Sequence, residues 1–505
     1  MNKKKDERVK FIAVLDVGKS NKKLCVFDQN LRLIESMFAS FDDYSVDGSL
    51  LMPVKETSEW FLDGLKTVAS KYPIGVISIA TYGSAFVCIN SEGELALPTL
   101  SPYLNEPLDD FYSRFYKALG NEKDLHINTA TPPIPGLGNL AKGIYYVKEK
   151  FPAEFALVDT FLPLPQYYGF LLTGKKGIDY TCLGCHSYLW DYNHLKMSTM
   201  VDKLGIRDKL PHKVSKPWDV LGMVSENIVR RTGLDPSTIV TVGIHDSNAS
   251  LLPHLIKEKG PFILNSTGTV FVAMRPGKIT GIGHDDLGKV IYYNMSALGK
   301  PVKTSMFLGG LEFDIYKDLL LPNQGSSLPQ FNRKLCERVL KEKRYFILPS
   351  LIPFGMFPDS PARAVQDGKT FTFGDIASGT KPEFFSNVEE AFVALNVSLA
   401  YQTKFLLNAA GYHKGDLILV EGGFRKNDTY MAALASLFPE CEVDKTNLEE
   451  ATSFGVAMIG LCALENIQPA DLEDRFEIEK QRMDMEPLKW IDEYSKDLTA
   501  LIRKN

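Results

Sequence analysis

The sequence lacks the long apolar runs and basic tracts that mark membrane proteins and nucleic-acid-binding proteins. No uncharged apolar stretch reaches the ~18 to 20 residues of a membrane span, and the small-residue segment 454–464 is too short. Its 57 basic residues are outnumbered by 62 acidic ones, and no basic tract follows Lys3 to Lys5. We therefore expect no membrane and no nucleic acid among its partners.

Cysteine is also scarce, with seven residues scattered through 505 positions, so no disulfide framework is implied. Cys182-Leu-Gly-Cys-His186 has the spacing of a c-type haem attachment site. No export signal and no second cysteine pair accompany it, so we interpret the match as coincidence. Reduced thiols predict a cytoplasmic location.

Two glycine-rich segments imitate nucleotide-binding motifs without meeting their requirements. Gly18-Lys-Ser20 ends like a P-loop, but Ala13 stands where the first glycine is needed. The segment from Gly136 to Ala141 reads G-x-G-x-x-A, but it follows a proline-rich loop rather than a strand. Neither segment is predicted to bind a nucleotide in the manner of its motif.

The chain is long enough for two or more hydrophobic cores, and it opens with a strand, a tight polar turn and a second strand. Flexible glycine, backbone N–H groups and hydroxyl or amide side chains allow such a turn to hold a phosphate. Asp16 ends the first strand and would be costly to bury unpaired, so Mg²⁺ is a candidate partner. A salt bridge or a turn-forming role is the alternative. The turn consists of Gly18, Lys19, Ser20 and Asn21.

A second strand, turn and strand resembles the first. The apolar runs 262–265 and 270–274 flank a turn that contains Gly268 and Thr269, and Gly268 lies 250 positions after Gly18. The chain therefore looks duplicated, and two such turns could grip a polyphosphate from both sides. Chance similarity of two common hairpins is the alternative.

Two further strands end in glycine, where open α/β sheets place ligands. Thr81, Tyr82 and Gly83 follow the strand 75–80, and Tyr82 either faces a substrate or packs in the core. Gly422 and Gly423 follow the strand 417–420, with Asn427 close behind. Paired glycines let a nucleoside approach the backbone closely, whereas a tight strand-to-helix turn is the structural alternative.

Near the midpoint, the apolar run 240–244 delivers His245 and Asp246 to the end of a buried strand. We interpret Asp246 as a catalytic base. The alternative is that it caps a helix beginning at Asn248. His245 either bonds a substrate hydroxyl or is a buried structural histidine.

These segments, in this order, resemble the FGGY carbohydrate kinases over nearly the whole chain. The resemblance implies two actin-like, ribonuclease H-like α/β domains, internally duplicated, with a cleft between them. We expect a sugar-binding domain at 8–253 and a nucleotide-binding domain at 254–488. The motifs are Asp16-Val-Gly18, Gly243-Ile-His-Asp246, Ser266-Thr-Gly-Thr269, Glu421-Gly-Gly423 and Glu450-Ala-Thr-Ser-Phe-Gly455.

The resemblance implies transfer of the γ-phosphate of ATP to a hydroxyl of a small ketose, or of a related deoxyketose, branched sugar or polyol. Asp246 would remove the hydroxyl proton, Asp16 would position Mg²⁺, and the two hairpin turns would hold the phosphates. Gly422, Gly423 and Asn427 would border the adenosine. The predicted substrate-binding residues are Thr81, Tyr82, Gly83, His245 and Asp246.

The segments 81–87 and 171–174 look closest to the rhamnulokinase-like branch. Two departures put rhamnulose itself in doubt: Ala85 replaces an acidic residue, and the segment 101–106 lacks the usual Asp and Arg. The alternative function is a non-catalytic sugar or nucleotide sensor, or an actin-type ATPase, on the same fold. The expected partners are a sugar and ATP, with a homodimer also allowed.

Overall fold

The computed structural model describes residues 10–108, 110–321, 327–351 and 354–504. Lys3 to Lys5 and the first two residues of the predicted N-terminal domain lie outside this part. The strands, in chain order, are β1 (Phe11–Val17), β2 (Asn21–Phe27), β3 (Leu33–Ser40), β4 (Tyr44–Val46), β5 (Ser49–Leu51), β6 (Ile74–Thr81), β7 (Phe86–Ile89), β8 (Thr160–Pro163), β9 (Ile178–Asp179), β10 (Trp190–Asp191), β11 (Lys196–Met197), β12 (Val214–Ser215), β13 (Val220–Met223), β14 (Ile239–Thr241), β15 (Ile244–His245), β16 (Phe262–Thr267), β17 (Phe271–Pro276), β18 (Ile291–Met295), β19 (Pro301–Phe307), β20 (Tyr345–Leu348), β21 (Arg363–Gln366), β22 (Lys369–Thr372), β23 (Leu417–Gly422), β24 (Val443–Thr446) and β25 (Lys480–Arg482).

Helices cover the faces of the sheets. They are α1 (Val54–Ala69), α2 (Phe111–Leu119), α3 (Glu122–Thr129), α4 (Leu140–Lys150), α5 (Pro152–Leu157), α6 (Leu164–Thr173), α7 (Tyr180–Leu183), α8 (Met200–Leu204), α9 (Glu226–Thr232), α10 (Asp246–Lys257), α11 (Gly309–Leu320), α12 (Arg333–Glu342), α13 (Phe373–Ala377), α14 (Val388–Ala409), α15 (Asp428–Leu437), α16 (Ala451–Glu465) and α17 (Ile491–Arg503). None of the described helices is long and apolar enough to cross a membrane.

Two seven-stranded mixed sheets organise the chain. The first has the order β13-β14-β6-β1-β2-β3, with β15 also beside β6, and the second has the order β18-β19-β17-β16-β23-β24-β25. In each sheet a hairpin's first strand pairs antiparallel with the second strand, and parallel with a later strand on its other side. The same pattern on β1-β2-β6 and β16-β17-β23 agrees with the predicted duplication.

The first sheet is covered on both faces because its central strands are mostly apolar. One face packs against α1 and α6 through side chains such as Leu15 and Leu65. The other face packs against α10 and α16 through side chains such as Ile12 and Ile459. A strand covered on both faces reads as a continuous apolar run, which is why the sequence located β1 and β6.

Helix α10 also packs beneath the second sheet. Its Leu252 belongs to the core on the first sheet, and its neighbour Leu251 belongs to a core with Leu264 and Leu419 of the second sheet. Helix α10 thus lies between the two sheets. The predicted division at 253/254 falls inside this helix, and the domain limits stay a prediction.

Helix α6 directly follows a strand. Residues 161–163 belong to β8, which pairs antiparallel with β7. The helix α6 begins only at Leu164. Pro163 and Pro165 favour a start at this point, since proline lacks the N–H that interior helical positions need.

The small residues of α16 allow close packing against its neighbours. A Cβ on Gly455 would lie 1.9 Å from the carbonyl oxygen of Ala249 on α10. A Cβ on Gly460 would lie 2.7 Å from Cγ2 of Ile12 and 3.4 Å from Oγ of Ser78. Helix α16 therefore rests directly on the backbone of α10 and on the first sheet.

Gly455→Ala is expected to destabilise the protein by about 3 kcal/mol, since the new methyl group overlaps a backbone oxygen that cannot rotate away. Thermal unfolding measures the effect, with Gly260→Ala as control because a Cβ there meets no atom within 4 Å. Equal unfolding midpoints for the two variants would contradict the close packing of α10 and α16.

Candidate functional site

Three neighbouring strands bring the predicted acidic residues to one edge of the first sheet. Asp16 on β1 pairs with Ala80 of β6, and His245 on β15 pairs with Thr81 of the same strand. Asp16 and His245 therefore lie two strand spacings apart, roughly 10 Å. Asp246 follows His245 directly, so both carboxylates border the same end of the sheet.

Asp246 is the first residue of α10, so it does not cap a helix beginning at Asn248, and that interpretation is wrong. His245 occupies the N-cap position. The Asp246 carboxylate instead accepts hydrogen bonds from Ser247, from its N–H at 2.6 Å and from its hydroxyl at 3.2 Å. The side chain is 27% exposed. Its partial burial disfavours the charged carboxylate and raises the pKa of Asp246 to about 6.

His245 is buried beside this carboxylate with both ring nitrogens engaged. The amide of Asn248 donates to Nδ1 at 3.0 Å, so Nε2 carries the ring proton. That nitrogen lies 3.2 Å from Oδ1 of Asp246 and 3.2 Å from Sγ of Cys185. Burial lowers the pKa of His245 to about 4, so the ring is neutral at physiological pH. This geometry favours an orienting role for His245 toward Asp246.

Asp16 is buried, and its carboxylate accepts a hydrogen bond from the Ser453 hydroxyl at 2.9 Å. Burial raises the pKa of Asp16 to about 6, against the opposing effect of Lys23. Lys23 is paired with Asp16 across the hairpin and also forms an ion pair with Glu450. Sequence reasoning missed Lys23, although its position opposite Asp16 follows from the hairpin register.

The surroundings of Asp16 fit a magnesium ion. The described residues contain no cluster of three or more histidine, cysteine, aspartate or glutamate side chains that could hold a metal. Mg²⁺ commonly takes only one or two carboxylates and completes its shell with water and phosphate oxygens. A single buried carboxylate with a raised pKa suits such an ion, because a cation stabilises its charged form.

The first hairpin turn offers free backbone donors. The Gly18 N–H donates to the Asn21 carbonyl at 2.9 Å, whereas the N–H groups of Lys19 and Ser20 have no partner in the described part of the chain. The Lys19 ammonium is engaged elsewhere, by Asp43 and by the Ser101 hydroxyl at 3.0 Å. The backbone, more than the lysine side chain, is therefore available for a phosphate.

The second hairpin turn is held between two glycines. A Cβ on Gly310 would lie 2.1 Å from the Gly268 oxygen, and one on Gly422 would lie 2.3 Å from the Thr267 oxygen. Gly422, which also has a φ of +82°, is thus needed for packing on the turn itself. The Thr269 N–H has no partner among the described residues. Gly310 was not identified from the sequence.

Gly423 and Asn427 lie between β23 and α15, directly after Gly422. Gly423 is exposed, and a Cβ there would meet no atom closer than 3.9 Å. Asn427 caps α15 by accepting from the Tyr430 N–H at 3.1 Å, and its amide donates to Asn396 at 2.7 Å. The open face at this turn is therefore formed by glycine, and the Asn427 side chain is already bonded.

Of the three residues at the end of β6, Gly83 is the most central. The Thr81 hydroxyl donates to the Tyr82 carbonyl at 3.1 Å, and the Tyr82 hydroxyl points to the sulfur of Met52 at 3.3 Å. A Cβ on Gly83 would lie 3.1 Å from Nε2 of His245. Glycine at this position avoids a tight contact with the His245 ring, which lies beside Asp246.

Two segments set aside in the sequence analysis line the same space. A Cβ on Gly83 would also lie 3.0 Å from Sγ of Cys185 and 3.3 Å from Cε1 of His186. The Gly138 carbonyl, from the rejected dinucleotide segment, accepts from Nδ1 of His186 at 3.0 Å. The Tyr103 hydroxyl donates to the Gly83 carbonyl at 3.0 Å. No local sequence signal points to these contacts, which join distant segments.

The family "Carbohydrate kinase FGGY, C-terminal domain" matches residues 259–469. Rhamnulokinase of Halalkalibacterium halodurans is 26% identical over 115 residues, 22% of this chain and 23% of that protein. Rhamnulokinase of Oceanobacillus iheyensis is 22% identical over 265 residues, 50% of this chain and 54% of that protein. The matched part therefore spans about half or less of these curated relatives.

A solved carbohydrate kinase from Novosphingobium aromaticivorans is similar over 98% of both chains, with 27% identity and a TM-score of 0.78. The fold and the paired turns define a two-domain α/β protein of the actin-like, ribonuclease H-like class, as predicted. Within that class, the predicted resemblance to the FGGY carbohydrate kinases is confirmed.

Asp16→Asn is expected to stabilise the metal-free protein by about 2 kcal/mol at pH 7.5, because the wild-type carboxylate is then charged and buried. Its pKa is raised from 3.8 to about 6 on folding. The loss of stability caused by the buried charge is therefore complete above pH 6 and disappears as the pH falls toward 4. Thermal unfolding in EDTA at pH 7.5 and 4.5 checks this. If Asp16→Asn is less stable than the wild type by the same amount at both pH values, the prediction is wrong.

Proposed function

We propose that this protein is an ATP-dependent sugar kinase that transfers the γ-phosphate to a hydroxyl of a small ketose or a related uncharged polyol. The observation that carries the proposal is the position of Asp246. It starts a helix, is part-exposed, and lies at the same sheet edge as the buried Asp16. The two hairpin turns supply free N–H groups for phosphates.

In the proposed mechanism, Asp246 accepts the proton of the acceptor hydroxyl as the oxygen attacks the γ-phosphorus, and the bond from the γ-phosphorus to the bridging oxygen breaks, so that ADP leaves. The neutral His245 holds the carboxylate through its Nε2 proton. The unpaired N–H groups of both turns offset the charge of the phosphates. Phosphoryl transfer depends mainly on such positioning and charge stabilisation. Mg²⁺, held by Asp16, would neutralise further phosphate charge when bound.

The raised pKa of Asp246 suits this role. A carboxylate with a pKa of about 6 is charged at pH 7.5 and is a stronger base than an ordinary aspartate. We further propose a cytoplasmic location, in keeping with seven free cysteines. The N-terminal half would bind the sugar, the C-terminal half the nucleotide, and Gly423 would border the adenosine.

A sugar sensor or an actin-type ATPase on the same fold is the competing function. ADP release measured with and without a panel of ketoses separates the three. A kinase gives sugar-dependent ADP and a phosphorylated sugar, a sensor binds sugar without turnover, and an ATPase releases ADP regardless of sugar.

Asp246→Asn is expected to lower kcat by about 10²-fold or more, since the amide cannot accept the proton. The KM values for sugar and ATP should change little, because the amide keeps the size and polarity of the carboxylate. Steady-state kinetics against Asp375→Asn, an exposed carboxylate in the C-terminal half, provide the comparison. Near-normal turnover in the Asp246 variant would exclude it as the base.

Asp16→Ala is expected to raise the Mg²⁺ concentration needed for half-maximal activity by about 10-fold or more. Even a residue in the outer shell of a metal typically contributes that much to metal affinity. A Mg²⁺ titration of sugar-dependent ADP release measures it. Asp63→Ala, on the exposed face of α1, should leave the titration unchanged. An unaltered titration in the Asp16 variant would remove this residue from the metal site.

A further inference from the structure

His186 is a buried histidine beside Gly83 that the proposed mechanism does not use. Its backbone φ is +34°, in the region that residues other than glycine seldom adopt. The Asn139 amide donates to its carbonyl at 2.8 Å and holds that conformation. Strained backbone kept in place by neighbours is concentrated at binding sites.

The hydrogen bonds of His186 fix the chemistry of its ring. Nδ1 lies 3.0 Å from the Gly138 carbonyl, which can only accept, so Nδ1 carries the proton. The Ser84 hydroxyl lies 2.9 Å from the same nitrogen. Burial, with His245 nearby, lowers the pKa of His186 to about 3, so the ring is neutral. Nε2 therefore bears a lone pair, and no residue in the described part of the chain bonds to it.

The His186 ring lies close to the proposed base. Cε1, the carbon between the two ring nitrogens, would be 3.3 Å from a Cβ on Gly83, and Nε2 of His245 would be 3.1 Å from the same point. His245 in turn contacts Asp246 at 3.2 Å. The ring of Tyr292, from the second sheet, meets the His186 ring edge to face at 5.7 Å. His186 thus borders the space in front of Asp246, where an acceptor would lie.

We propose that Nε2 of His186 accepts a hydrogen bond from a hydroxyl of the acceptor sugar and thereby helps to select the acceptor. This inference rests on the proposed kinase function. A site that binds a hydroxyl through a buried polar group rejects compounds that lack it, because the group is then left unpaired. His186 would bind one hydroxyl while Asp246 acts on another.

Two near-isosteric variants separate the roles of the two ring nitrogens. The amide of His186→Gln reaches the position of Nε2, whereas the amide of His186→Asn replaces only Nδ1. Asparagine can still donate to the Gly138 carbonyl, and it tolerates a positive φ. If Nε2 binds the acceptor, His186→Gln should keep kcat/KM for the sugar within about 5-fold, and His186→Asn should lose about 100-fold.

The loss in His186→Asn should appear in the sugar KM, with the ATP KM unchanged and the thermal unfolding midpoint as high as in the wild type. Equal losses in the two variants, or a larger loss in His186→Gln, would overturn the proposal and assign His186 a structural role through Nδ1.

The acceptors used are L-rhamnulose, D-xylulose, L-ribulose and glycerol, and binding is also measured by calorimetry without ATP. If the wild type binds one of them without turnover and only His186→Asn loses that binding, the kinase function falls and the role of His186 stands. If the wild type turns over a sugar and His186→Asn does so equally well, the role of His186 falls and the kinase function stands. If the wild type binds none of the four, both proposals fall.

Discussion

The close packing of α10 against α16 is the contact on which the site depends. Gly455 approaches the Ala249 carbonyl so closely that no side chain fits between the helices. Each helix begins at the site: α10 starts with Asp246, and the first turn of α16 carries Ser453, which bonds to Asp16. Neither helix has a side-chain N-cap, so both present N-terminal N–H groups at the end of the sheet. Helix N-termini attract anions, which suits a site for phosphate chemistry.

The duplicated hairpins differ in how they are supported. The first turn lies beside an ion pair between Lys19 and Asp43, whereas the second is wedged between Gly310 and Gly422. Both nonetheless leave backbone N–H groups unpaired. A duplication thus preserves the backbone geometry that we propose holds phosphates, while the side chains behind each turn differ.

The space in front of Asp246 is lined by groups that are uncharged at neutral pH. Burial lowers the pKa of both His186 and His245 and raises the pKa of Cys185. Tyr292 is likewise kept in its phenol form, because burial raises its pKa. Such a surface is suited to hydroxyl groups and C–H faces, which form hydrogen bonds and packing contacts without needing a counter-ion.

The sequence by itself determined the hairpins, the acidic residues at strand ends and the order of the motifs, because these depend on neighbours only a few residues away. It could not determine which segments meet. Cys185, His186 and Gly138 were set aside on local grounds, yet the fold brings them to Gly83. Gly422 was expected to make room for a ligand, whereas in the tertiary structure its lack of a side chain allows close contact with the Thr267 backbone. Burial and contacts between residues more than 40 positions apart create these roles, and the spacing of neighbouring residues does not indicate them.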